Sequence, residues 1–167
     1  MNSNLNFDFT VNKETNTVHV TRDFAAERAL VWDVFTKQEL LDQWWAPKPW
    51  KSETKSMDFK EGGRRLYAMV SPEGQKHWGV QDYTSITPKT NFKQLNTFSD
   101  EDGNLAEGMP TSEWNLDFFD NGDTTTVEIQ ITHEKLADLE MMIQMGFKEG
   151  FTMTLNSLDE LFENWKK

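Results

Sequence analysis

Three histidines are the side chains of this 167-residue chain best suited to acid–base chemistry or metal binding. His19, His77 and His133 lie on separate segments, and no spacing such as HExxH places two of them on one helix face. Two histidines and a carboxylate could still assemble in space, but all three positions also suit strand ends or solvent-facing surfaces. The spacing therefore predicts no metal site.

Four carboxylates could act as a general acid or base if folding buries them, namely Asp58, Glu61, Asp82 and Glu113. The chain has no GxSxG, Walker or dinucleotide-binding motif. It also has no cysteine, which excludes disulfides, thiolate zinc sites and cysteine nucleophiles. We therefore predict no catalytic residue and no cofactor, and the question of enzymatic activity stays open.

Three tryptophans lie within seven residues of the segment LDQWWAPKPW, residues 41–50. A core, a ligand pocket or a partner protein must cover that much indole surface. Neighbouring residues of a helix point about 100° apart, so Trp44 and Trp45 face different directions. We expect Trp44 or Trp45 to be buried at the end of the core. Trp50 follows two prolines in a loop and is expected to be more exposed, and one of the three could wall a cavity.

The strand GGRRLYAMV places Arg65, Tyr67 and Met69 on one face by its two-residue period. Tyr67 and Met69 suit the wall of a cavity, because methionine adapts to irregular ligands. In the interpretation that the sequence favours, Arg65 pairs with Glu61 or Asp58 and its side chain reaches solvent. In the other, Arg65 faces a cavity and could receive a carboxylate or phosphate from a ligand.

The charge of the chain is strongly acidic, with 17 basic and 28 acidic residues and a net charge of −11. Residues 1–60 hold eight basic and nine acidic residues, so residues 61–167 carry most of the excess. An acidic surface repels phosphate backbones and anionic lipids, so neither nucleic acid nor a membrane surface is an expected partner. The first residues resemble no signal peptide, and we expect a cytoplasmic protein.

The elements that position these residues follow from the hydrophobic periodicity. Alternation predicts a hairpin over residues 5–24, in which Leu5 begins the first strand. A helix follows over residues 25–36, and Thr36 with Glu39 has the form of a capping box for a second short helix ended by Pro47.

The second half of the chain has a strand period up to residue 133 and a helical period after it. Gly146 should break the helical region, and residues 147–165 carry one broad apolar stripe. The sequence thus predicts an α+β fold, with a curved antiparallel sheet wrapped around a long C-terminal helix and two short helices after the first strands.

Several segments together resemble the START-like (SRPBCC) superfamily, and within it the family named after the activator of the heat shock protein 90 ATPase. The matching segments are DFAAERALVWDVFT, LLDQWWAP, DFKEGGRRLYAM, WGVQDYTSITP, TTTVEIQITH and MGFKEGFTMTLNSLDEL. The family often has Ala-Pro and Gly-Trp where this chain has Ala-Ala at 25–26 and Gly-Phe at 150–151. Both departures are mild, and the resemblance implies the helix-grip fold of the superfamily.

The resemblance also implies one START-like domain over residues 1–167, in which residues 1–16 add a strand and a turn. Members of the superfamily bind apolar molecules in a cavity between the sheet and the long helix. The inward faces of the sheet and of the helix should converge on such a cavity, and residues on these faces are the predicted ligand-binding residues. They are Trp45, Arg65, Tyr67, Met69, Trp78, Trp114, Met142, Phe147 and Phe151.

Three functions follow from the resemblance. The first is binding of a small apolar or aromatic ligand by a monomer or weak homodimer, and the second is interaction with a chaperone. The third and weaker one is an enzyme of the polyketide cyclase kind, which needs a buried acid–base pair. A closed core would favour interaction with a chaperone. An open apolar cavity would favour ligand binding, and a polar pair at the base of such a cavity would favour the enzyme.

Overall fold

Alternating apolar residues and turn residues fold the first four-fifths of the chain into one antiparallel sheet. The computed structural model describes residues 6–165. The strands are β1 (Phe7–Asn12), β2 (Thr17–Phe24), β3 (Lys51–Met57), β4 (Arg64–Val70), β5 (Lys76–Thr87), β6 (Asn91–Phe98), β7 (Ser112–Asp120) and β8 (Thr125–His133). Their spatial order is β1-β2-β8-β7-β6-β5-β4-β3, so β8 returns to pair with β2. The predicted hairpin is present, but Leu5 lies outside the described residues.

Four helices accompany the sheet, and their bounds are α1 (Arg28–Thr36), α2 (Gln38–Leu41), α3 (Leu136–Gln144) and α4 (Phe147–Trp165). The predicted break at Gly146 is confirmed, because this residue has φ +89°, a conformation that strongly favours glycine. Among residues 6–165, no helix combines the length and the apolar composition that crossing a bilayer requires.

The predicted capping box at Thr36 is wrong. The Thr36 hydroxyl donates to the Trp32 carbonyl at 2.8 Å within α1, and α2 begins without a side-chain cap. A threonine hydroxyl competes for nearby backbone carbonyls in this way at many helix ends. The second helix ends at Leu41, so the prediction that it continues to Pro47 is also wrong, and a turn and a bend carry the chain on through Trp44 and Trp45.

The sheet grips α4 as predicted, and the α+β helix-grip architecture is confirmed. The stripe of α4 that packs inward consists of Phe151, Leu155, Leu158 and Phe162, all 7% exposed or less. It meets the inward residues of the central strands, such as Leu116 and Ile129. Burial of such side chains contributes roughly 1.5–3 kcal/mol each, which makes this contact the main apolar core.

A buried arginine fastens α4 to the sheet at a second point. The Arg22 guanidinium on β2 donates to Asn156 Oδ1 at 3.0 Å and forms an ion pair with Asp159. Its apolar surroundings include the ring of Phe24, 5.6 Å from the guanidinium carbon. The polar contact therefore sits at the margin of the apolar core and fixes the rotation of α4.

The long acidic loop after β6 folds back over the outer face of the sheet. The carbonyl oxygens of Glu101 and Gly103 accept bonds from Lys55 Nζ at 2.7 Å and Arg64 Nη1 at 2.8 Å. Beneath the loop, Leu66 on β4 is only 7% exposed. This part of the sheet is thus covered on both faces.

The contact between α4 and the sheet predicts a clear asymmetry between two substitutions on this helix. Leu158→Ala should lower the free energy of unfolding by about 3 kcal/mol, because Leu158 is fully buried and its truncation leaves a cavity. Met153→Ala on the exposed side should change it by less than about 0.5 kcal/mol. Urea denaturation measures both, and equal losses would contradict the described orientation of α4.

Candidate functional site

A cavity of about 390 Å³ lies between the inner face of the sheet and the two C-terminal helices. Strands β4 to β8 form its floor, α3 and the first turns of α4 cover it, and the loop with Trp45 and Pro47 closes one side. This volume falls in the range of roughly 300–1,000 Å³ that is typical of ligand pockets. The cavity opens to solvent and is lined mainly by apolar side chains.

Eight of the nine predicted ligand-binding residues border this one cavity. They are Trp45, Tyr67, Met69, Trp78, Trp114, Met142, Phe147 and Phe151. The exception is Arg65, which is fully buried behind the wall. That these residues bind a ligand stays a prediction, since the structure establishes only that they share a cavity.

Four aromatic rings form a continuous wall of the cavity. The Trp114 ring lies 5.9 Å from Trp45 and 5.6 Å from Phe151 between ring centroids. Phe147 stacks on Phe151 at 5.2 Å and 17°, as expected one helical turn apart. The other ring pairs of this wall meet at interplanar angles of 52° to 87°, so the wall offers both ring faces and ring edges to an apolar molecule.

The three clustered tryptophans have three different environments. Trp44 is 1% exposed in the core, where its indole N–H donates to the Val34 carbonyl at 2.9 Å. Trp45 is 7% exposed and faces the cavity, and Trp50 is half-buried with its ring 5.3 Å from that of His77. The predicted order of burial is confirmed, with Trp44 in the core and Trp45 at the cavity.

Methionines surround the opening of the cavity. Besides the predicted Met69 and Met142, the sequence analysis missed Met109, Met141 and Met145, which are all exposed. The four-residue spacing of Met141 and Met145 on a predicted helix was a signal that could have identified both. Thioether side chains are flexible, so this opening can adapt to ligands of different outline.

Tyr67 lines the cavity opposite Gly79, which is its partner in the pairing of β4 with β5. A β-carbon at Gly79 would lie 3.4 Å from the Tyr67 ring, which is an ordinary van der Waals contact. Trp78 also borders the cavity, but lysine ammonium groups of Lys55 and Lys76 lie 5.7 and 5.8 Å from its ring centroid. The Trp78 side chain projects from the opposite face of the sheet, because Trp78 pairs with Ala68 whereas Gly79 pairs with Tyr67.

The interpretation that Arg65 reaches solvent is wrong, because its side chain is fully buried. Its Nε donates to Thr54 Oγ1 at 3.1 Å, and its Nη1 donates to Gln81 Oε1 at 3.2 Å. Its Nη2 donates to Ser52 Oγ at 2.8 Å and lies 3.4 Å from Asp42 Oδ1. These bonds occupy all three nitrogens, which argues against the alternative of Arg65 as an anion receptor for a ligand.

The positive charge of Arg65 lies close to one carboxylate and two aromatic rings. Its guanidinium carbon lies 4.2 Å from the Tyr67 ring centroid and 5.8 Å from that of Trp45. Burial lowers the pKa of Arg65, and the neighbouring Tyr67, Tyr83 and Asp42 oppose that shift. The guanidinium thus supports two cavity rings from behind.

His133 ends β8, which is one of the two placements that the sequence analysis gave for the histidines, but its side chain is buried and does not face solvent. It is 5% exposed, lines the cavity, and neither ring nitrogen has a hydrogen-bond partner among the described residues. Its position continues the inward series of Val127, Ile129 and Ile131 on β8, and that two-residue period could have identified it. Burial lowers the pKa of His133, and the charge of Asp138 opposes this only in part.

The four carboxylates considered for acid–base chemistry lie outside the cavity. Asp58, Glu61 and Glu113 are exposed, and Asp82 is held by Arg64, with the Nη2–Oδ2 bond at 3.0 Å. Within the described part of the chain, no group of three or more histidine and carboxylate side chains is arranged to hold a metal ion.

Comparisons with known proteins agree with the fold. A family model described as "Activator of Hsp90 ATPase homolog 1-like protein" matches residues 25–163. The chain is similar to protein Ms6760 from Mycobacterium smegmatis, with 27% identity, a TM-score of 0.85, and coverage of 94% of this chain and 96% of that one. A protein from Arthrobacter aurescens shares the fold at 22% identity and a TM-score of 0.88, over 94% and 91% of the two chains. No curated protein matches the chain.

The buried network around Arg65 predicts a strong effect of removing its carboxylate. Asp42→Ala should lower the free energy of unfolding by about 3 kcal/mol, because it leaves the buried guanidinium without its counter-charge. The double variant Asp42→Ala/Arg65→Met should recover much of that loss. Urea denaturation of the wild type, of Asp42→Ala, of Arg65→Met and of the double variant measures the coupling, and strictly additive losses would show that the pair does not interact.

Burial of His133 predicts a pH dependence of stability. Its pKa is lowered in the folded state, so below about pH 6.5 the unfolded chain binds a proton that the folded chain does not. The free energy of unfolding should therefore fall as the pH decreases from about 7 to 5. His133→Gln should reduce this slope, whereas His19→Gln at an exposed position should not. Identical slopes for wild type and His133→Gln, measured by urea denaturation, would refute the assignment.

Proposed function

Since the chain belongs to the family of Activator of Hsp90 ATPase homolog 1-like proteins, we propose that it binds a small apolar or aromatic molecule in the cavity between the sheet and the C-terminal helices. The observation that carries the proposal is the open cavity with its wall of Trp45, Trp114, Phe147 and Phe151. A single START-like domain over residues 1–167, a monomeric or weakly dimeric state and a cytoplasmic location complete the proposal.

The aromatic and methionine side chains of the lining support a flat apolar ligand. Tyr67 lines the same cavity as the aromatic wall, in which the neighbouring ring centroids lie 5.2 to 5.9 Å apart. A flat ligand that covers such rings removes apolar surface from water at roughly 25 cal/mol per Å². The methionines at the opening can close around ligands of different size, so we propose a class of ligands rather than a single one.

Interaction with a chaperone is the second candidate, and the observation that favours it is the description of the family model. The exposed methionines at the cavity opening, Met141 and Met145, could contact an apolar segment of a partner. Stimulation of the ATPase activity of an Hsp90 chaperone by the purified chain would support this candidate. The presence of the cavity favours ligand binding over interaction with a chaperone, because a surface that docks a partner protein does not require an internal cavity.

No chemical reaction is assigned to the cavity. His133 and Asp138 both line it, but no hydrogen bond joins them in the described part of the chain. An acid–base enzyme needs the two groups within reach of each other or of one substrate proton. The geometry thus supports binding more than catalysis.

Binding of an uncharged fluorescent probe tests the proposed function. N-phenylnaphthylamine should bind with increased emission, and tryptophan emission should fall because Trp45 and Trp114 line the cavity. Met69→Trp should abolish this binding with the fold kept, because the larger side chain fills the cavity.

The matched control is Met153→Trp, which introduces the same side chain on the exposed side of α4. This variant should bind the probe like wild type. If the wild-type protein binds no apolar probe, or if Met69→Trp binds as well as Met153→Trp, the cavity is not the ligand site.

A further inference from the structure

A row of three polar residues crosses the sheet in the lining of the cavity, which is otherwise mainly apolar. Asn96 on β6 pairs with Ser112 on β7, and Ser112 pairs with His133 on β8. All three residues line the cavity. Directly paired residues point their side chains to the same face of a sheet, with β-carbons roughly 4.5–5.5 Å apart. The pairing therefore places the three side chains next to one another on the cavity side.

The existing hydrogen bonds of Asn96 and Ser112 leave donors available rather than acceptors. The Asn96 amide oxygen accepts from Gln94 Nε2 at 2.9 Å, and the Ser112 hydroxyl oxygen accepts from Trp114 Nε1 at 3.0 Å. Among residues 6–165, no group accepts a bond from the Asn96 amide nitrogen or from the Ser112 hydroxyl. Both side chains are half-buried, and the Asn96 nitrogen is not among the polar atoms that lack accessible surface. An acceptor that enters the cavity therefore meets two unused donors.

His133 adds no donor or acceptor to this pair. Both of its ring nitrogens have almost no accessible surface, so a molecule in the cavity does not contact them. The polar contacts that the row offers to a ligand are thus those of Asn96 and Ser112.

The two donors lie beside the aromatic wall. Ser112 is two residues before Trp114 on β7, so both side chains point to the cavity face and their α-carbons lie roughly 7 Å apart. A molecule whose apolar body contacts the Trp114 ring can therefore place a polar group, attached directly to that body, at the donors of Ser112 and Asn96.

The charges around the cavity restrict what this polar group can be. No lysine or arginine side chain is among the described residues that line the cavity, and Asp138 contributes a negative charge. The guanidinium of Arg65 lies against the Tyr67 ring with all of its nitrogens bonded. A carboxylate or phosphate would therefore lose water without gaining a counter-ion.

We propose that the cavity takes an uncharged apolar molecule with one carbonyl group, whose oxygen accepts hydrogen bonds from the Asn96 amide and the Ser112 hydroxyl. A carbonyl oxygen has two lone pairs, so it accepts from two donors at once. Aromatic ketones, esters and lactones have this chemistry. The inference rests on the proposed function, because it names the polar group of a ligand bound in the same cavity.

Three ligands that share one apolar body test this proposal. Acetylnaphthalene, isopropenylnaphthalene and naphthoate, substituted at the same ring position, compete with N-phenylnaphthylamine for the wild-type protein. The first two differ only in that a carbonyl oxygen replaces a methylene group. Acetylnaphthalene should bind more tightly than isopropenylnaphthalene, because it alone accepts from the two donors. Naphthoate should bind most weakly, since no basic side chain among the described lining residues balances its charge.

Two variants identify the donors. Asn96→Leu keeps the size of the side chain without its N–H groups, and Asn96→Leu/Ser112→Ala removes both donors. The preference for acetylnaphthalene over isopropenylnaphthalene should fall about threefold in the first and about tenfold in the second. The control is Gln130→Leu, which removes an exposed amide from the outer face of β8 and should keep the wild-type preference.

A vibrational measurement on the wild-type protein gives a second test that does not depend on the folding of the variants. The carbonyl stretching band of bound acetylnaphthalene should lie at a lower frequency than in hexane, because hydrogen bonds weaken the carbonyl bond. A band at the hexane position would show that no donor contacts the oxygen, and the inference would then be wrong.

The outcomes separate this inference from the proposed function. If no apolar probe binds, the proposed function fails and the inference fails with it. If the double variant keeps the same preference as Gln130→Leu, the inference is wrong while the proposed function stands, and water molecules are the partners of Asn96 and Ser112. Tighter binding of naphthoate than of acetylnaphthalene would likewise overturn the inference alone.

Discussion

The structure depends on how α4 meets the curved sheet. The second half of the helix packs tightly, with Leu155, Leu158 and Phe162 at 2% exposure or less. Its first turns contact the sheet through large aromatic rings, with Phe147 and Phe151 at 6.1 and 5.6 Å from the Trp114 ring, and they line the cavity. One helix thus closes the core at one end and covers a cavity at the other. The tight end provides stability, so the open end can remain unfilled.

The buried Arg65 shows how the cavity floor is kept in place. A charged group inside a protein is costly unless its counter-charge and its hydrogen bonds are provided, and Asp42 with three polar side chains provides them. The guanidinium lies against the Tyr67 ring and near Trp45, and so fixes two cavity residues at once. An apolar residue in its place could pack as well, but it would not orient these rings.

The interior and the exterior of this protein differ in their electrostatic character. The chain carries a net charge of −11, whereas its cavity is lined by apolar side chains and a few polar ones such as His133. An acidic surface disfavours anionic partners, and a cavity with no lysine or arginine among its described lining residues disfavours anionic ligands. The proposal of an apolar ligand agrees with this distribution of charge.

The sequence by itself determined the order of the elements, the inward stripe of α4 and most of the cavity wall, because two- and 3.6-residue periods reveal which faces are apolar. It could not determine the environments of Arg65 and His133. Polar side chains have the same pattern in solvent and in a buried network, and only tertiary contacts from distant segments decide between them. Asp42 reaches Arg65 from 23 positions away, and the cavity that His133 lines is formed with residues of α3, of α4 and of the loop at Trp45.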